Sequence, residues 1–92
     1  MVTIDGSRVS HIFRVAEGHF SEDTPENRQA LMDVANDPAN ALGVDQFGNT
    51  WAAKNLTDGT EVWVQFRGGR ITNGGINVRP RSFTPSTSDS PR

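Results

Sequence analysis

A chain of 92 residues makes one small domain that can bury about 60–65% of its extended surface, so its core is modest. It has no cysteine, which excludes disulfides and thiolate metal sites, and its apolar runs are too short to cross a bilayer. A formal charge of −2 argues against a sequence-blind binder of phosphate backbones.

That charge is unevenly spread. Residues 1–49 hold eight acids against three arginines (−5), and residues 50–92 hold six bases against Asp58, Glu61 and Asp89 (+3). An enzyme meeting RNA through one local basic face remains compatible with this balance. Met1 to Arg8 lacks the apolar stretch of a signal peptide, which points to the cytoplasm or to a fragment of something larger.

In chain order, residues 1–9 read as a weakly specified lead, with Val2, Ile4 and Val9 as strand candidates. Ser10 to Val15 reads as a short strand or a short helix. A helix starts at Asp23-Thr24-Pro25-Glu26, where Asp23 or Thr24 caps, Pro25 suits the first turn and the acids complement the helix dipole. It runs to about Asn36 with Ala30, Leu31, Val34 and Ala35 as its apolar stripe, and Asp37-Pro38 stops it. A strand follows near Leu42–Asp45, then a turn over Gln46–Asn49. Gly74-Gly75 in the last strand marks a bulge or the close approach of another backbone. Residues 79–92, rich in Ser, Pro, Thr and Arg, read as a flexible tail.

Asp58-Gly59 and Gly68-Gly69 read as two-residue hairpin loops. The first sets Ala53 opposite Val64, Trp51 opposite Phe66 and Lys54 opposite Trp63. The second sets Phe66 opposite Ile71, Gln65 opposite Thr72 and Arg67 opposite Arg70. With side chains alternating, one face becomes a core of Trp51, Ala53, Val62, Val64, Phe66 and Ile71. The other carries Lys54, Trp63, Gln65, Arg67, Arg70 and Thr72. The expected fold is α+β, with one main helix packed on a three- to four-stranded antiparallel sheet over residues 10–78 and the opposite face open.

On that open face Lys54, Arg67 and Arg70 suit phosphate oxygens, Trp63 suits stacking on a base, and Thr72 and Gln65 suit hydrogen bonds to phosphate or ribose. His11 and His19 are the only histidines and the natural proton carriers. The bland alternatives stay open: a solvated face with Trp63 shielding the Lys54 methylenes, and two ordinary histidines. Two histidines eight apart match no zinc spacing, and no phosphate-cradling glycine loop occurs, so neither metal nor cofactor is expected.

Several stretches carry a resemblance: His11-Ile12-Phe13-Arg14, Gly18-His19-Phe20, Asp23 to Arg28, Gly48 to Lys54, Asp58 to Val64 and Gly69 to Asn77. Together they resemble C-terminal toxin domains of bacterial polymorphic and contact-dependent inhibition proteins, within the ribonucleases of the barnase/EndoU/colicin/RelE fold group. The resemblance implies a barnase/RelE-like fold and metal-independent RNA cleavage by 2′-hydroxyl attack, leaving a 2′,3′-cyclic phosphate, with tRNA among the candidate substrates. It implies His11 or His19 as acid or base, Arg14 and Lys54 stabilising the phosphorane, Thr72 positioning the phosphate and Trp63 stacking a base. It also implies a cognate immunity protein or antitoxin, action in the bacterial cytoplasm, and origin as the released end of a larger exported protein. The alternative is a non-catalytic protein- or nucleic-acid-binding module using the same face.

Overall fold

Helix α2, Pro25–Asn36, begins and ends as its sequence dictates. The Thr24 hydroxyl oxygen accepts from the Asn27 amide at 3.1 Å, satisfying one of the orphan N–H groups of the first turn. Pro25 fills the first helical position, and at the other end Asp37, preceding Pro38, turns extended. Leu31, Val34 and Ala35 are buried along one stripe. The computed structural model describes residues 1–83.

The helix packs on a five-stranded mixed sheet, giving an α+β fold with strand order β1-β5-β4-β3-β2. The strands are β1 Thr3–Ile4, β2 Ala41–Val44, β3 Thr50–Asn55, β4 Glu61–Arg67 and β5 Arg70–Asn77, with the short helix α1 at Val9–Ile12. The expectation of three or four antiparallel strands is corrected at one edge, where β1 pairs parallel to β5. Thr3 N and Asp5 N bond Gly69 O and Ile71 O, and the end of α2 anchors the residue before the strand. The Asn36 side chain accepts from Val2 N at 2.7 Å and donates to Val2 O at 2.9 Å. Residues 1–9 are thus not merely a lead, and Val2, Ile4 and Val9 pack on the core as partly buried side chains.

The two hairpins follow different rules. At Gly68 and Gly69 both φ angles are positive, 60° and 78°, and Phe66 opposes Ile71 and Arg67 opposes Arg70 as the sequence predicts. At the first hairpin only Gly59 has positive φ, at 89°. Asp58 instead accepts from Thr60 N and Oγ1 through its own carboxylate, an arrangement that needs no left-handed backbone. Gly59 N bonds Leu56 O and Leu56 N bonds Thr60 O, closing a three-residue loop rather than a two-residue one.

One residue of slip turns every side chain of β3 over. Ala53 therefore opposes Trp63, Lys54 opposes Val62 and Trp51 opposes Gln65. The core under α2 is built from Ala52, Val62, Val64 and Ile71 together with Ile12, Phe13 and the helix stripe. Trp51, expected in that core, lies on the other face stacked on Trp63, with ring centroids 5.5 Å apart. A second correction concerns β5. The ladder shifts at Gln65/Phe66, so Gln65 opposes Asn73 rather than Thr72.

Gly74 and Gly75 separate the two expectations made for them. The bulge sits nearer Thr72, and the close backbone approach is at Gly75, where a Cβ would stand 2.0 Å from Gly18 O and 2.7 Å from the His19 Cα. Part of the predicted tail also joins the fold. Phe83 packs against Trp51 at 5.5 Å between centroids, and Arg81 donates its backbone N–H to Glu61 Oε1. The rest of that predicted tail, 84–92, lies outside the described residues.

Candidate functional site

The face opposite α2 is divided into a covered half and an open half. Over the covered half, the loop 13–20 closes on itself through Arg14 N donating to Phe20 O and rests on Gly75. Gly18 O accepts from both Trp63 Nε1 (2.9 Å) and Ile76 N (3.1 Å), which uses both lone pairs of one carbonyl. Trp63, expected to be an exposed stacking surface, is consequently 2% exposed. Its indole is covered by Trp51 and by the edge of the His19 ring at 5.7 Å.

The open half is a polar recess of about 110 Å³. Arg8 and His11 enter from the first turns of the chain, Gln65 and Arg67 from β4, Thr72 and Asn73 from β5, and Asn49 from the turn before β3. Among the described residues two arginines and a histidine line it and no carboxylate does, so this lining is electropositive on a chain that is acidic overall. Arg67 is steadied by donating from Nη1 to Phe47 O at 2.8 Å, and Thr72 Oγ1 donates to Gln65 O at 3.2 Å.

Four of the sequence-predicted residues therefore meet here: His11, Gln65, Arg67 and Thr72. Lys54 does not join them. It faces the α2 side, in a separate hollow with Asp33 and Asp37, so Lys54 and Trp63 lie on opposite sides of the sheet rather than side by side. Arg70 is exposed and lies outside the recess lining. The Asp5 carboxyl is lowered first by hydrogen bonds from Ser7 and then by the charges of Arg70 and Arg8.

Arg14 and His19 sit beside the recess on the loop and engage each other. His19 Nδ1 lies 2.8 Å from Ile12 O and Nε2 lies 3.1 Å from Arg14 Nη2. A carbonyl only accepts and a guanidinium only donates, so Nδ1 carries the proton and the ring is neutral. Burial lowers the His19 pKa most, the Ile12 carbonyl opposes that, and the Arg14 and His11 charges add to the lowering. His11 is exposed with its pKa lowered by partial burial, then by Arg14 and Arg8. It is the histidine with access to a ligand.

Arg8, Asn49 and Asn73 were missed by the sequence reading. Arg8 falls in a stretch without periodicity, and Asn73 reaches the recess through the ladder shift beside Thr72. Asn49 carried a usable signal as the last residue of an Asp-x-x-Gly-Asn turn. Asp45 there accepts from Phe47 N, Asn49 N, Asn49 Nδ2 and Trp51 Nε1. Among the described residues, no three His, Asp or Glu side chains gather as a metal cluster. No helix among them is long and apolar enough to cross a membrane. Comparison with known families, characterised proteins and solved structures finds no match to this chain.

Proposed function

We propose that the domain is a metal-independent endoribonuclease toxin acting through the recess. The observation that carries the reading is an accessible histidine, its pKa lowered by partial burial and then by two neighbouring arginines, at the edge of a hollow whose described lining holds cations, amides and one hydroxyl and no carboxylate. In the proposed reaction a neutral His11 nitrogen takes the proton of a ribose 2′-hydroxyl. The 2′-oxygen bonds to the adjacent phosphorus, the bond from phosphorus to the 5′-oxygen breaks, and that oxygen takes a proton from water at the open mouth. Products are a 2′,3′-cyclic phosphate and a 5′-hydroxyl. Arg8 and Arg67 offer charge-assisted hydrogen bonds to the developing phosphorane, and Thr72 and Gln65 orient the phosphate.

The resemblance assigned the phosphorane to Arg14 and Lys54 and a proton to either histidine. Arg14 and His19 act in this reading as a positioning pair beside His11, and Lys54 has no part. A helix followed by an antiparallel meander with its opposite face partly open supports a place in the barnase/EndoU/colicin/RelE group. Such an activity in a bacterial cytoplasm calls for an immunity protein that occludes the recess, and tRNA is among the substrates to try.

The second reading, a non-catalytic binding module, is favoured by the exposed apolar side chains Leu42 and Val44 on edge strand β2. Incubation with total RNA, with and without chelator, followed by analysis of fragment ends, separates the two. Cyclic phosphate ends produced equally under chelation support the enzyme, and intact RNA in both arms supports the module.

A further inference from the structure

The ribonuclease reading leaves a base-stacking surface unassigned, because Trp63 is enclosed. Phe47 is the one exposed residue among the phenylalanines and tryptophans of the described residues, at 54%. It stands on a turn whose backbone is tied down on both sides. Its N–H donates to the Asp45 carboxylate at 2.9 Å, Gly48 N donates to Asp45 O at 3.1 Å, and its own carbonyl accepts from Arg67 at 2.8 Å.

We infer that Phe47 is the platform on which a nucleobase stacks when its phosphate occupies the recess, an inference that rests on the ribonuclease reading. Arg67 links the two subsites. One guanidinium N–H is committed to the Phe47 carbonyl, and the remaining donors of its fork belong to a group that lines the recess. A phosphate held by Arg67 lies one guanidinium away from the Phe47 turn, close enough for its nucleoside to reach the exposed ring. Stacking on an aromatic face accepts any base, so Phe47 contributes affinity and register while the polar lining contributes orientation. A rigid turn makes this a preformed surface, with little ordering left to do on binding. The exposed Leu42 and Val44 continue the apolar character towards β2, which makes protein docking the competing use of Phe47.

The test compares wild type, Phe47→Ala, Phe47→Leu and Phe47→Trp, using binding of a non-cleavable 2′-deoxy oligonucleotide and kcat/KM on the matching RNA. Phe47→Ala is expected to weaken binding about tenfold with an unchanged melting temperature, Phe47→Leu to behave like it, and Phe47→Trp to recover. An abasic nucleotide at the stacked position will cost wild type the same factor and cost Phe47→Ala almost nothing. Wild-type cleavage with Phe47→Ala equally active and equally tight overturns the inference and leaves the ribonuclease standing. Failure of wild type to bind or cut RNA overturns both.

Discussion

His11 and His19 differ in what their ring nitrogens are free to do. Both His19 nitrogens have partners, whereas His11 is exposed at the recess. His11→Ala is expected to reduce cleavage by about 10²–10⁴-fold, the usual contribution of a general base, with thermal stability unchanged. Lys54→Ala, on the far side of the sheet, will leave kcat/KM intact. Because the His11 pKa lies below its ordinary 6.5, kcat/KM will climb with pH and pass its half-maximum below that value. Bound phosphate favours the protonated ring, so the same limb in kcat will sit at higher pH. His19 bears instead on stability. Its folded pKa is depressed below 6.5, so the unfolded chain binds the extra proton more readily. The stabilisation is complete above about pH 6.5 and fades as pH falls towards the folded value, which melting curves between about pH 5 and pH 7 will show.

Among the elements, α2 was legible because cap, proline, stripe and stop all agree over one short window. The Gly68-Gly69 hairpin was legible for a similar reason, since two adjacent glycines supply both positive φ angles. Asp58-Gly59 misled because the aspartate satisfies Thr60 without a positive φ, and one extra loop residue put Lys54 on the helix side of the sheet and Trp51 on the other. The hairpin signal alone does not encode that choice, since Val62 and Val64 face α2 in either register; what differs is β3, with Ala52 beneath α2 and Trp51 stacked on Trp63. The docking of loop 13–20 is equally non-local. It depends on the missing side chain at Gly75, and Gly75→Ala brings a Cβ into Gly18 O. Overpacking of this kind costs about 1–3 kcal/mol or more. The variant is expected to lose the Trp63–Gly18 bond and red-shift its tryptophan emission as well as melt earlier. Asp45→Ala will be costly for a different reason. It leaves the buried Trp51 Nε1 and Asn49 N without an acceptor, each at about 1–3 kcal/mol, and a drop of about 3 kcal/mol in denaturant unfolding is the expected result.

Across the whole molecule, the acidic residues concentrate in 1–49, yet that half also supplies Arg8, His11 and Asn49 to the recess. The division of charge by sequence halves, which pointed to a basic C-terminal face, is therefore not the division in space. Two arginines make a small cationic footprint, so RNA affinity will fall only about sevenfold between about 50 and 200 mM salt, the slope expected for two neutralised phosphates on a single strand. A slope several times steeper would mean a basic surface beyond this recess.

The central claim, that a neutral His11 drives 2′-hydroxyl attack at this recess, meets its most direct test in one oligonucleotide series. A DNA strand containing a single ribonucleotide is offered to wild type and to His11→Ala, alongside the same strand with that sugar replaced by deoxyribose. The account predicts one cut, 3′ of the ribonucleotide, with a cyclic phosphate end, made by wild type alone. Cutting of the all-deoxy strand, or undiminished cutting by His11→Ala, contradicts it.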